Sequence, residues 1–226
     1  MMAAVGDPRM LSVVELDTFF HVLVERARPA VFVEAGAYEA ATSVRVAEAV
    51  PGCRVVAFEA NPYVYQRFTR STDFAARGVE YRHQALADRQ GDVSFFVVSD
   101  SSSWCDDRVE GYNSLLKRSG GDWLGEVGYE EVTVSATTLD SEFSSADGPF
   151  AMWMDVEGAA RTVLAGAAGF LRRCEVLKIE VEDRPFWQQQ WLADDVVAEL
   201  ARHGLLPIAR DAESQQQYNM LFARQD

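Results

Sequence analysis

Five short apolar runs in the chain end in polar residues: Glu34-Ala35-Gly36, Glu59-Ala60-Asn61, His83-Gln84-Ala85, Asp155-Val156-Glu157 and Glu180-Val181-Glu182. Four of the five carry a carboxylate. In an open α/β sheet, ligands bind beyond the carboxyl ends of the strands, so residues in such places are the first candidates for chemistry. The interval from Gly36 to Glu59 is the most informative. A glycine turn after a first strand lets a ligand approach the backbone, and an acid about 20 positions on, ending a second strand, can accept both hydroxyl hydrogens of a ribose. That is nucleoside-binding geometry.

The elements that must position these residues follow from pattern. Leu11 to Arg28 has apolar residues at three- and four-residue steps, which predicts an amphipathic helix closed by Pro29. Val31–Glu34, Arg54–Glu59 and Val79–His83 read as strands. Helices over Thr42–Val50 and from Pro62 to Arg77 alternate with them, broken at Pro51-Gly52 and Gly78. This alternation predicts a mostly parallel sheet with helices on both faces. Asp92–Val98 and Glu131–Ser135 read as strands around a Gly-, Ser- and Trp-rich stretch, and residues 99–130 are expected to form an inserted lid or loop. Strands over Phe150–Met154 and Val176–Val181 and helices over Ala159–Arg172 and Asp194–His203 follow. Leu205–Ile208 and Tyr218–Ala223 close the chain as an antiparallel pair.

Composition restricts function. The length of 226 residues suits one domain over 1–226, with 1–30 as an N-terminal helical segment. Lys and Arg total 21 against 35 Asp and Glu, a net charge of −14 that repels phosphate backbones and anionic lipid. No nucleic-acid or membrane partner is expected. Cys53, Cys105 and Cys174 are odd in number and far apart, which fits a reducing compartment, and no signal-like or spanning apolar run occurs. The expectation is a cytoplasmic protein acting on a small-molecule acceptor, with its oligomeric state open.

The turn Glu34-Ala35-Gly36-Ala37-Tyr38-Glu39-Ala40 has one glycine, where a pyrophosphate cradle uses several, and Glu39 would repel a pyrophosphate. The ammonium of S-adenosylmethionine is favoured by acids, so the residues lean to that donor over NAD. Val31–Ala37, Val56–Pro62, Gln84-Ala85-Leu86-Ala87-Asp88, Thr138-Leu139-Asp140 and Met154–Ala159 together resemble the FkbM-type S-adenosylmethionine-dependent methyltransferases. The resemblance implies a Rossmann-like class I methyltransferase fold, an α/β architecture with a mostly parallel central sheet and an antiparallel C-terminal strand. It also implies methyl transfer, usually to an oxygen of a sugar or other natural-product intermediate of secondary metabolism. The chain departs from the family at Tyr38, where Asn is usual, and at Ala40, where Gly is usual.

Roles then follow for individual residues. Gly36 admits the donor's amino-acid portion, with Ala37 and Tyr38 beside it; Glu34 holds the donor ammonium or orients the turn. Glu59 and Asn61 serve the ribose, and Gln84, Ala85 and Leu86 bracket the adenine. Ser114 reaches the donor carboxylate by family position. Asp155 orients the acceptor hydroxyl or acts as its general base, and Glu157 contacts acceptor or donor. Trp104, Tyr112 and Trp187 cover the acceptor. No metal is expected; the alternative is a divalent ion between Asp155 and Glu180, with Glu182 or Asp183 as a third ligand by type only. The competing function is a non-catalytic binding or scaffold paralogue with a degenerate donor turn.

Overall fold

The computed structural model describes residues 7–101, 111–120 and 125–225. In chain order it has helix α1 (Pro8–Ala27), strand β1 (Val31–Ala35), α2 (Ala41–Ala49), β2 (Arg54–Glu59), α3 (Pro62–Ser71), a 3-10 turn (Ala75–Arg77) and β3 (Val79–His83). There follow β4 (Ala85–Leu86), β5 (Gly91–Ser101), β6 (Val127–Thr137), α4 (Leu139–Phe143) and β7 (Phe150–Met154). The chain ends with α5 (Ala160–Ala165), α6 (Ala168–Leu171), β8 (Cys174–Glu182), α7 (Ala193–Arg202), β9 (Leu205–Arg210) and β10 (Gln217–Arg224).

The main sheet has the order β3-β2-β1-β7-β8-β10-β9. β1 pairs in parallel with β2 on one side and with β7 on the other, and β8 continues in parallel beside β7. β10 runs antiparallel between β8 and β9. Strand order therefore reverses between β1 and β7, and a crevice opens beyond their carboxyl ends. Every residue of β1 is buried, as a central strand covered on both faces requires. Phe32, Val55 and Ala57 pack toward α1 and α2 with Phe20 and Val46. Val33, Val56 and Met152 pack on the other face with Val163, Leu164 and Phe170.

A second sheet of order β4-β6-β5 stands over that crevice, with Phe95, Val97 and Val134 in its own small core. Its strands reach further than the predicted 92–98 and 131–135. β5 runs to Ser101 and β6 begins at Val127, so the ends of the expected 99–130 insertion are antiparallel ladder. Two predicted helices are interrupted. The span 159–172 divides into α5 and α6 at Gly166, where an added Cβ would lie 2.3 Å from the Ala87 carbonyl oxygen. Asp140 Oδ1 then accepts the Phe170 N–H at 2.8 Å, supplying α6 with a donor's partner that the broken ladder no longer gives. The span 62–77 stops at Ser71, and Asp73 Oδ1 accepts the Ala76 N–H at 3.1 Å to start the 3-10 turn.

Candidate active site

A cavity of about 360 Å³ lies at the carboxyl ends of β1, β2 and β7. Phe58, Leu86, Phe95, Leu115 and Val163 give it apolar walls, and Glu59, Asn61, Gln84, Asn113, Asp155 and Glu157 bring polar atoms to it. Its size and its few convergent polar groups match a small-ligand site. Glu59 is held from two sides: the Tyr38 N–H donates to Oε2 at 2.8 Å and the Asn61 N–H to Oε1 at 2.7 Å. Asn61 in turn caps α3, its Oδ1 accepting the Tyr63 N–H at 2.9 Å, with Pro62 at the first helical position. Burial pushes the Glu59 carboxyl up to about 7, against the opposing pull of the Asn61 and Tyr38 amides. A carboxylate oriented by the backbone keeps lone pairs for a pair of ligand hydroxyls.

The turn after β1 is set by contact with the protein itself. Gly36 has φ +73°, and an added Cβ would stand 1.7 Å from the Asp155 carbonyl oxygen. The Gly36 and Ala37 N–H groups donate to the Phe58 carbonyl at 3.0 and 2.9 Å. Gly36 lines the cavity, yet its lack of a side chain is demanded by β7 as much as by any ligand. Tyr38 and Ala40 have φ of 47° and 53°, the left-handed region that Asn and Gly enter most readily. The turn keeps its shape without either residue. Tyr38 lines the cavity, with its ring 4.9 Å from that of Phe68.

Several expected site residues stand elsewhere. Glu34 is not among the cavity's lining residues; it is buried and accepts the Ser43 N–H at 2.7 Å, which fixes the start of α2. Ala37 is buried in the core beside α2. The Ser114 hydroxyl is buried and donates to the Glu157 carbonyl at 2.7 Å, so it supports the β7 loop and does not line the cavity. Trp187 is 1% exposed, packed where a Cβ on Gly158 would meet its ring at 2.8 Å, and so forms a wall behind the loop with no open face for an acceptor. Trp104 lies outside the described residues. Gly36, Tyr38, Glu59, Asn61, Gln84, Ala85, Leu86, Asp155 and Glu157 all meet at the one cavity.

Asp155, Glu157 and Glu180 each bring a carboxylate oxygen to within 4.8 Å of the others. Burial pushes the Asp155 carboxyl up to about 6, against a hydrogen bond with Glu180, and raises Glu157 and Glu180 well above the usual range, with the Asp155 charge adding to both. Glu157 also borders a second cavity of about 320 Å³, lined by Gly111, Tyr112, Glu180, Glu213, Ser214 and Gln217. Tyr112 is therefore the one predicted acceptor-side aromatic, among the described residues, that reaches a cavity.

A scan against family models matches residues 31–206 to the methyltransferase FkbM domain. The chain belongs to the FkbM methyltransferase family. A search of the curated proteins found no match. Among solved structures, an rRNA methylase from Streptococcus thermophilus aligns with TM-score 0.51 at 9% identity, covering 99% of this chain and 100% of that one. A precorrin-6y C5,15-methyltransferase from Geobacter metallireducens GS-15 gives TM-score 0.48 at 12% identity, covering 93% and 88%. The O-methyltransferase from Bacillus cereus in complex with SAH gives 0.45 at 11%, covering 99% and 94%. The sheet order and the likeness to the rRNA methylase give this FkbM domain a Rossmann-like class I methyltransferase fold. Membership makes S-adenosylmethionine the implied methyl donor, and the cavity fits it: apolar walls for a purine, and a buried acid at the end of β2 for a ribose.

Sequence reasoning about this FkbM chain missed Asn113, Leu115 and Phe95 in the first cavity and Glu213 in the second cavity. Alternation along β5 could have pointed to Phe95. Glu213 comes from the β9–β10 connection, where no local pattern marks a residue that folds back over the sheet edge.

Proposed function

We propose that this protein methylates a hydroxyl oxygen of a small natural-product or sugar-containing acceptor, using S-adenosylmethionine. The observation that carries the reading is Asp155: it follows the last residue of β7, lines the donor cavity, and has an Oδ1 that is closed to solvent without a hydrogen-bond partner among the described residues. The donor supplies an electrophilic methyl group, whose bond to sulfur breaks as a bond to the acceptor oxygen forms, the sulfur keeping the electron pair as a neutral thioether. Asp155 orients the attacking hydroxyl and takes its proton. Glu59 and Asn61 fix the donor's ribose end, so that much of the rate comes from alignment. Tyr112 and Glu157 stand on the acceptor side.

The same reading makes the protein a cytoplasmic enzyme of secondary metabolism, with no nucleic-acid or membrane partner and no metal requirement. A net charge of −14 supports the lack of a nucleic-acid or anionic-membrane partner, and no helix among the described residues is long and apolar enough to cross a membrane. Titration calorimetry with S-adenosylhomocysteine and with NAD tests the donor, and mass detection of a 14 Da gain on a panel of hydroxylated acceptors tests the reaction. Binding of the homocysteine compound alone is expected. Binding of neither would favour the scaffold reading, and binding of NAD alone would overturn the donor assignment.

A further inference from the structure

We propose that the acceptor carries a positively charged amino group, anchored by Asp155, Glu157 and Glu180 where the donor cavity meets the second cavity. The inference rests on the methyltransferase reading and adds the acceptor's charge class to it. Three oxygens within 4.8 Å of one another always leave a point no further than about 2.8 Å from each, which is the length of a charge-assisted N–H···O hydrogen bond. Asp155 Oδ1 and Glu157 Oε2 are both closed to solvent without a hydrogen-bond partner, and both residues line the donor cavity. A buried acceptor atom left so costs free energy that a donor group arriving with the ligand would recover. An ammonium brings three donors and a compensating charge.

The second cavity gives the rest of such a molecule its place. At about 320 Å³ it is far larger than an ion needs, and its described lining includes Tyr112, Glu213, Ser214 and Gln217, which donates to Glu180 at 2.9 Å, with no basic side chain. The nearest cations offset the cluster only in part: Lys178 lowers Asp155 and Arg118 lowers Glu157, each less than burial raises it. Lys178 pairs with Asp17 at 2.9 Å and lies 4.0 Å from the Trp153 ring centroid, and the Arg118 guanidinium packs 4.7 Å from the Trp187 ring centroid. Glu182, beside the cluster, already accepts from Gln190 and Gln217 at 2.7 and 3.4 Å. Burial still outweighs these offsets and disfavours the ionised acids, so a cation entering the cavity would stabilise them.

Ligand-observed NMR and calorimetry on the full chain, with and without S-adenosylhomocysteine, can compare glucosamine and 1,4-diaminobutane with their N-acetylated forms. The amines are expected to bind at least tenfold more tightly than the acetylated forms. Glu180→Gln should erase most of that difference and Glu213→Gln a smaller part of it, both leaving S-adenosylhomocysteine affinity within threefold, and an unchanged circular dichroism spectrum shows that the variants fold. Equal binding of the two forms, or a preference that survives Glu180→Gln, overturns the proposal. So does saturable binding of Mg²⁺, Mn²⁺ or Ca²⁺ alone that abolishes amine binding, which would make the cluster a metal site. Failure of S-adenosylhomocysteine to bind would count against the methyltransferase reading and leave the amine comparison to be read by itself.

Discussion

At the scale of single residues, Glu59 shows how one side chain serves two purposes. The interval from Gly36 marks it as a ribose ligand, but its hydrogen bonds to the Tyr38 and Asn61 amides also hold the two turns that frame the cavity. Glu59→Gln leaves one acceptor oxygen and sets an NH₂ group against a backbone N–H. S-adenosylhomocysteine affinity should fall by about 10–100-fold, the loss of roughly 1.5–3 kcal/mol that a hydrogen bond to a charged group represents. The melting temperature should fall with it. Calorimetry checks the first, and unaltered affinity beside a lowered melting temperature would confine Glu59 to holding the turns. Asp155 makes a second prediction. A base must be ionised, and burial puts this carboxyl at about 6, so turnover should climb between pH 5 and 7. Asp155→Asn should lower it by roughly 10²-fold or more and flatten that climb. Equal turnover in variant and parent at saturating substrates would remove Asp155 from the chemistry. Strand-end position was enough to pick out both residues in the sequence. It was not enough for Glu34, Ser114 or Trp187, because which neighbour claims a side chain depends on chain brought from elsewhere in the fold. Ser114 meets the Glu157 carbonyl, and Trp187 meets Gly158.

At the scale of elements, the turn between β1 and α2 is where the sheet and the site depend on each other. Gly36→Ala would cost about 1–2 kcal/mol for its left-handed backbone alone, and its Cβ would collide with the Asp155 carbonyl at 1.7 Å. Relief would require the ends of β1 and β7 to separate. Gly52 is the control, with φ +87° and nothing within 4 Å of an added Cβ. Urea denaturation should show Gly36→Ala losing at least about 3 kcal/mol, in the range of severe steric substitutions, and Gly52→Ala only the backbone cost. Similar losses in the two would mean that the close approach to β7 is dispensable. The parallel strands were readable because β-branched runs and Gly or Pro breaks are local signals. The interruption at Gly166 was not, since nothing near it in sequence announces the Ala87 carbonyl that forbids a side chain there. The reach of β5 and β6 was also hidden, because residues with no strand signal of their own, such as Gly128 and Glu130, join an antiparallel ladder that can face solvent on one side.

At the scale of the whole molecule, the fold stores acidity at one edge of its sheet. Glu34, Glu59 and Glu182 are pushed up to about 7 and Asp155 to about 6 by burial, and Glu157 and Glu180 are raised well above the usual range. Unfolded carboxyls titrate near about 4. Between that value and about 7 the folded chain binds more protons than the unfolded chain, so the contribution of these groups is complete below the unfolded value and is lost as pH rises through the folded ones. His21 acts in the opposite sense. Burial lowers it to about 4, so its neutral form stabilises the fold above the unfolded value of about 6.5, and that contribution is lost as pH falls from there toward 4. Asp7, Asp17 and Glu80 are lowered and act in the same sense as His21, but below the ordinary carboxyl range, so above about pH 5 the imidazole is outweighed by the raised carboxyls, Glu213 included, and protonation also relieves the self-repulsion of a chain carrying −14. The ligand-free protein should therefore melt at a higher temperature at pH 5.5 than at pH 7.5, by several degrees, since about 1 kcal/mol moves a domain of this size by roughly 2–4 °C. Thermal melts across that range check the sign. A melting temperature that falls on acidification would mean that the strand-end acids are already ionised and compensated in the free protein, and that the site carries no unanswered charge for a ligand to meet.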